Sequence, residues 1–317
     1  MTKKILKYIS IILGVFVLLI TYLSTVGIET DKFNNQIQNL IKQKNDKFDA
    51  SLKKIKLTLD PLNFKINAKT IDTTLTYKNK LVELESIQTQ ISLNSFIKNQ
   101  LVTSQIQIST KPILLKNFVS FIRSINNRPE LFFLERFIKK GYLIADLKFN
   151  FDEFGSLKKD YKVNGLLKEG EIRVFKKNKL EKINFLFDVT KNNFSFRDIS
   201  FDINNVNFLS ERLKIKKEKK NYLFEGTIRN KHSSLNDEFL KIIKLIYPEF
   251  NLINTKFESK NNFSFNVNNK FKIENLAINS KILIDSSQLK KNGLIGENYI
   301  KINDLVDFKD HEIKLSY

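Results

Sequence analysis

The chain has 317 residues and a mass of 37.2 kDa, and its 42% apolar and 28% charged residues are those of a folded protein of one or two units. It contains no Cys and two His, which excludes disulfide frameworks, thiolate metal sites and Cys nucleophiles and leaves almost nothing for imidazole chemistry. The net charge is +20, but only seven of the 54 basic residues are Arg, so the bidentate phosphate and base contacts typical of nucleic-acid sites have few donors and no nucleic-acid partner is expected.

The first element is the strongest signal. Tyr8 to Ile28 is an uncharged run of 21 residues rich in Ile, Leu, Val and Phe. At 1.5 Å per residue such a run covers the ~30 Å hydrocarbon core of a bilayer. Lys3, Lys4 and Lys7 precede it and Glu29 and Asp31 follow it. This charge asymmetry keeps the N-terminus cytoplasmic and sends the remainder across the membrane. A cleaved signal peptide needs a shorter apolar stretch and small residues before the cut, and Thr25 and Gly27 supply a poor version of that pattern. The expectation is a cytoplasmic stub and anchor over 1–28 with the bulk of the chain exported.

Thr30 or Asp31 can cap an amphipathic helix within 29–50 carrying Phe33, Ile37, Leu40 and Ile41 at helical spacing. From 51 to 317 the dominant period is two. Ile55, Leu57 and Leu59 alternate with polar residues, followed by Phe64, Ile66 and Ala68, then Ile71 to Tyr77, Ile91 and Leu93, and Ile106 and Ile108. Residues 118–140 interrupt with a helical hairpin or broken helix expected to end at Gly141. Strands resume at Leu147, Phe149 and Phe151, with turn signals at Phe154-Gly155-Ser156 and Glu169-Gly170. Further alternation appears at Phe194 and Phe196, at Ile199, Phe201 and Ile203, at Phe263, Phe265 and Val267, and at Phe271 and Ile273; a second helix is expected over Leu235–Tyr247, stopped by Pro248. The fold class is therefore mainly β, a membrane helix followed by a long curled antiparallel sheet in meander order with a few short amphipathic helices. About 15 to 20 strands at ~4.8 Å each would extend an open sheet to roughly 70–95 Å, so it must curl, split into packed sheets or close.

Such strands create more one-sided apolar surface than a few short helices can cover. Two solutions stay open: sheet-on-sheet packing into a sandwich core, or a groove whose apolar lining takes a ligand. Membrane lipids are the natural apolar partner of a tethered chain, and the candidate lining residues are Phe149, Phe151, Phe194, Phe196, Phe201, Phe263 and Phe265.

Chemistry-bearing motifs are scarce. Gly293 and Gly296 lack the strand, helix and Lys of a phosphate loop and are assigned to a turn. His232, beside Ser233 and Ser234, has no acid in its local sequence and reads as a solvated loop. Asp304, Asp307, Asp310, His311 and Glu312 fit no calcium loop and read as a charged turn, with no metal expected. The run Lys214, Lys216, Lys217, Lys219 and Lys220 reads as a hairpin tip. No catalytic residue, enzyme activity or cofactor is expected.

Several segments resemble the AsmA-like family of Gram-negative envelopes, the relatives of AsmA, TamB and YhdP. Gly27-Ile28-Glu29-Thr30-Asp31-Lys32-Phe33-Asn34 resembles the family's junction between membrane helix and first periplasmic helix. Ile91 to Ile97, Ile106 to Ile108 and Lys111 to Leu115 are similar to its strand, connection and proline-led strand, and Gly141 to Leu147, Tyr161 to Gly165 and Gly170 to Ile172 to its strand and turn units. The resemblance implies an inner-membrane anchor, a periplasmic β-groove, and a part in phospholipid transport or outer-membrane assembly. It carries no catalytic residues. The alternative is an anchored structural or assembly factor with a closed sandwich core that binds another envelope protein.

Overall fold

The computed structural model describes residues 2–44, 46–93, 103–127, 129–152, 158, 160–174, 178–218, 221–237, 240, 252–268, 270, 272–290 and 305–316. Among the described residues are four helices, α1 (Thr2–Thr25), α2 (Asn34–Lys44), α3 (Leu115–Ile125) and α4 (Pro129–Phe137). The strands are β1 (Ile28–Thr30), β2 (Phe48–Ser51), β3 (Lys54–Asp60), β4 (Lys65–Ile71), β5 (Thr73–Tyr77), β6 (Lys80–Ser92), β7 (Thr103–Thr110), β8 (Ile113–Leu114) and β9 (Ile138–Asn150). They continue with β10 (Lys162–Val174), β11 (Asn178–Thr190), β12 (Asn193–Ile203), β13 (Val206–Lys217), β14 (Asn221–Ser234), β15 (Leu252–Asn268), β16 (Ile273–Lys290) and β17 (Leu305–Ser316). Backbone pairing joins them into one long antiparallel sheet that stays open. No second sheet is present among the described residues, so the closed sandwich is not what these strands form.

The chain divides into two compact units, the first made mainly of residues 1–113 with 117–132 and 144–163, the second mainly of residues 164–317 with 133–143. In the first unit, α1 is long and apolar enough to cross a membrane over Lys4–Thr25, and none of that window is buried. Thr21 and Thr25 satisfy their hydroxyls within the helix, Thr21 Oγ1 donating to the Val17 carbonyl at 2.8 Å and Thr25 Oγ1 to that of Thr21 at 2.7 Å, which suits a helix in lipid. The helix ends at Gly27, whose φ of +73° is open to glycine at no steric cost. There the backbone passes against β3, so that a Cβ on Gly27 would lie 2.3 Å from the Leu57 carbonyl oxygen. Ile28 then pairs with Leu57 and Thr30 with Ile55, tying the helix directly to the sheet.

Beyond this tie, β3 pairs with β4, and the long β6 pairs with both β4 and β5. β4 and β5 are in effect one strand bent at Asp72, which sits at φ +50° with its carboxylate held by Lys111 at 3.1 Å and Lys53 at 3.6 Å. The core of this unit is Ala50, Leu52, Ile55, Tyr77, Val82, Leu84 and Ala145, joined by Val119 and Phe121 of α3. Hydroxyls replace backbone partners at its irregular points: Thr70 Oγ1 accepts from Ile87 N at 2.8 Å and Thr110 Oγ1 from Ala145 N at 2.9 Å.

In the second unit β11 to β17 form a meander, each strand pairing antiparallel with the next. Two expectations are corrected here. Gly141 ends no helix: α4 stops at Phe137, and Gly141 lies inside β9 at φ +127°, where a Cβ would come within 3.1 Å of Gly170 Cα. Glu169-Gly170 is no turn either, since both lie within β10 and Glu169 adopts φ +53°. A residue with positive φ serves a β-bulge as well as a turn, and local sequence does not separate the two. Similar positive φ values occur at Lys182 and Asp198. Lys182 Nζ meets Asp202 Oδ2 at 2.8 Å, Asn207 Nδ2 donates to Asp202 Oδ1 at 2.7 Å, and Asn184 Oδ1 accepts from Glu169 N at 3.0 Å. The turn signal at Phe154-Gly155-Ser156, Phe271 and most of the helix expected over 235–247 lie outside the described residues.

Two outcomes follow. Gly27→Ala is expected to lower the thermal midpoint of the full-length protein in detergent, because it meets the Leu57 carbonyl in addition to ~1–3 kcal/mol of left-handed strain. Gly14→Ala, which has open space around its Cβ, should leave the midpoint nearly unchanged; equal midpoints for both variants would contradict the tie between helix and sheet. At Asp202 burial pushes the carboxyl up, but hydrogen bonds from Asn207 and Lys182 and the ammonium charge outweigh it and hold the group below its ordinary value. Its folded-state pKa being depressed, its stabilisation is present above the unfolded carboxylate range near pH ~4 and is lost as pH falls through the folded value. Urea midpoints of Asp202→Asn and the parent should therefore differ at pH 7 and converge at low pH; a gap that does not narrow would contradict this.

Candidate functional site

Directly opposed residues of an antiparallel ladder project from the same face, so the register fixes which side chains share a surface. In the second unit one row runs Phe187–Phe196–Leu213–Gly226–Phe263–Ile278 from β11 to β16. Beside it runs Val189–Phe194–Ile215–Phe224–Phe265. Neither row contains a polar side chain. The reverse face carries Asp188–Ser195–Lys214–Glu225–Ser264–Ala277, and Arg197 lies 2.8 Å from Asp188. The sheet here is oily on one side and charged on the other.

The rings pack laterally. Phe224 and Phe265 stack with centroids 4.8 Å apart, Phe263 and Phe265 lie at 5.9 Å, and Phe185 meets Phe196 edge-on at 5.4 Å. Gly226 makes room for this arrangement: a Cβ there would sit 2.9 Å from the Phe263 ring. Every phenylalanine in the two rows is half-buried and none is buried.

Of the expected lining residues, the register brings Phe194, Phe196, Phe263 and Phe265 together. Phe201 stands apart, beyond the Asp198 bulge, where it stacks at 5.6 Å on the buried Phe208 and belongs with the core. Phe149 and Phe151 are half-buried residues of the first unit. There Phe149 lies in the row Ile28–Leu57–Ala68–Thr89–Ile106–Phe149, which starts at the residue following Gly27. Phe185, Phe187 and Phe224 were not among the expected residues, although Ile183-x-Phe185-x-Phe187-x-Val189 and Tyr222-x-Phe224-x-Gly226-x-Ile228 carry the same period-two signal.

His232 sits within β14 at φ +41°, not in a loop, and its exposed ring Nδ1 lies 3.1 Å from Asp285 Oδ2. Asp307, Asp310, His311 and Glu312 lie within β17 and not in a turn, while Asp304 is outside the described residues. Glu312 contacts Lys314 at 3.1 Å and Lys281 at 3.4 Å, and the Lys314 hydrogen bond foremost holds its carboxyl below the ordinary value. Among the described residues no three His, Asp or Glu side chains gather as metal ligands. Lys214, Lys216 and Lys217 are exposed at the end of β13, and Glu218 N donates to the Asn221 carbonyl at 2.8 Å to close that hairpin; Lys219, Lys220, Gly293 and Gly296 are outside the described residues. What the phenylalanine face can do is solvate hydrocarbon, at ~0.8 kcal/mol per CH₂ removed from water. No family model, no curated protein and no solved structure matches this chain.

Proposed function

We propose that this chain is a single-pass membrane protein whose sheet carries lipid acyl chains on its phenylalanine face. In this reading α1 anchors it in the inner membrane of a Gram-negative envelope, the sheet lies in the periplasm, and its work is phospholipid transport or outer-membrane biogenesis, as its resemblance to the AsmA-like family implies. The observation that carries the reading is the pair of uninterrupted apolar rows across β11 to β16, half-buried and backed by a charged reverse face. The row beginning at Ile28, immediately after the anchor and apolar but for Thr89, supports it further.

Partitioning alone accounts for transfer. A methylene leaving the bilayer for an apolar groove exchanges one hydrocarbon surrounding for another, so the ~0.8 kcal/mol it would lose in water is largely retained at both ends. Such a face lowers the barrier to leaving the membrane without bond chemistry.

A photo-crosslinking residue at Phe265 in native membranes is expected to give lipid adducts, with few or none from Lys214 on the reverse face. Absence of lipid adducts at both Phe265 and Phe194 would reject the reading, and adducts to another protein in their place would favour an anchored assembly factor.

A further inference from the structure

The face that carries the phenylalanines changes character along the strands. On β15 the residues sharing it run Val267, Phe265, Phe263, Asn261, Ser259 and Phe257, so two polar side chains interrupt an otherwise apolar series. Register places Ser280 opposite Asn261 and Asn230 opposite Ser259. Ser210 joins them: it follows Leu209, which pairs with Arg229, so Ser210 and Asn230 both project from the face opposite that pair. Five polar residues thus form an island on the oily side of the sheet, although Asn230 is 2% exposed, Ser210 3% and Ser259 9%.

Part of the island is satisfied from within. Asn230 Nδ2 donates to the Phe257 carbonyl at 3.2 Å, Ser259 Oγ donates to Asn230 Oδ1, and these bonds accompany the register shift that follows Asn230. Packing of this kind accounts for Asn230 and Ser259 alone. Ser210 Oγ is buried with no hydrogen-bond partner, a situation that costs about 1–3 kcal/mol. Asn261 donates from Nδ2 to Ser259 Oγ at 3.0 Å and to the Ile228 carbonyl at 3.3 Å, so both bonds use its nitrogen and its Oδ1 stays available as an acceptor. The Ser210 hydroxyl offers a donor to an ester or carboxyl oxygen, while Asn261 Oδ1, on the far side of β14, accepts only from the O–H of a protonated carboxyl. From Asn261 the phenylalanine face runs on to Val267, six residues or roughly 20 Å at ~3.3 Å per residue. That exceeds the ~15 Å of one leaflet, half the ~30 Å hydrocarbon core.

We infer that Ser210, Asn230, Ser259, Asn261 and Ser280 form the subsite for the carbonyl end of an acyl chain, the carboxyl or ester group from which the tail lies along Phe263, Phe265 and Val267. This rests on the proposed lipid-carrying face and adds to it a fixed position for the chain: oxygen at the island, methylenes over the rings. A chain with no oxygen has nothing to offer the Ser210 hydroxyl.

The test uses the full-length protein with p-benzoylphenylalanine at Phe265, purified and irradiated with radiolabelled palmitic acid. Adduct formation is competed with unlabelled palmitic acid, methyl palmitate or hexadecane. Hexadecane is expected to compete about 10-fold more weakly than the oxygen-bearing chain, the loss of one or two hydrogen bonds. Palmitic acid competing alone assigns the island to a free carboxyl, and methyl palmitate competing equally assigns it to an ester carbonyl; either supports the subsite. Ser210→Ala combined with Asn261→Leu should bring hexadecane level with the others, and Ser210→Ala alone, which removes a single oxygen, should narrow the gap. Equal competition by hexadecane in the parent, or a gap that survives both variants, overturns the subsite while adduct formation still upholds the face. No palmitic acid adduct at all overturns the face and the subsite with it.

Discussion

In a pleated strand consecutive side chains leave on opposite faces, so alternation of apolar and polar residues commits one face of the sheet to a non-aqueous neighbour. In this protein the alternation is sustained over most of the chain, and the sheet it produces is open. Part of the debt to water is met locally. In the first unit α3 contributes Val119 and Phe121 to a core with Ile55, Val82 and Leu84. In the second, Ile138, Leu143, Leu167, Ile183, Val206 and Phe208 are buried. Among the described residues the phenylalanine rows of β11 to β16 stay half-buried, and the proposed function follows from that remainder of apolar surface.

Strands this long keep their facing only if irregularities are absorbed. Each bulge shifts the parity of the side chains that follow, and the positive-φ residues Glu169, Lys182 and Asp198 mark where this happens. The Lys182, Asp202 and Asn207 cluster and the Asn184 amide hold those points in place. Their consequence for the site is direct. Phe196 and Phe201 are five residues apart, a spacing that would put them on opposite faces of a regular strand; the Asp198 bulge brings both to one face, where Phe201 pairs with the buried Phe208 and Phe196 with the half-buried Leu213.

Much of this was legible in the sequence, because hydropathy length and period are local quantities. The apolar helix, the mainly β class, the helical interruption near 118–140 and four phenylalanines of the face could all be read from spacing. What could not be read depends on register. Phe224 joins the site because it opposes Phe265, and Phe149 leaves it because its partner is Ile106 in the other unit. Gly141, Glu169-Gly170 and His232 looked like punctuation, since a left-handed backbone is shared by turns, helix ends and bulges; only the paired neighbour tells which one forms. The polar island escaped notice for a related reason, as Ser210, Asn230 and Asn261 are distant in sequence and unremarkable one by one.

The central claim is that the ring face is occupied by hydrocarbon in the membrane-bound protein. A chain with no cysteine allows a single spin label to be placed without other changes. With the label at Phe265→Cys in reconstituted bilayers, power saturation should show oxygen reaching it freely and a water-soluble nickel chelate reaching it poorly, while Lys214→Cys shows the reverse. Equal access of the nickel chelate to both positions would mean that the face is wet, and would contradict the account.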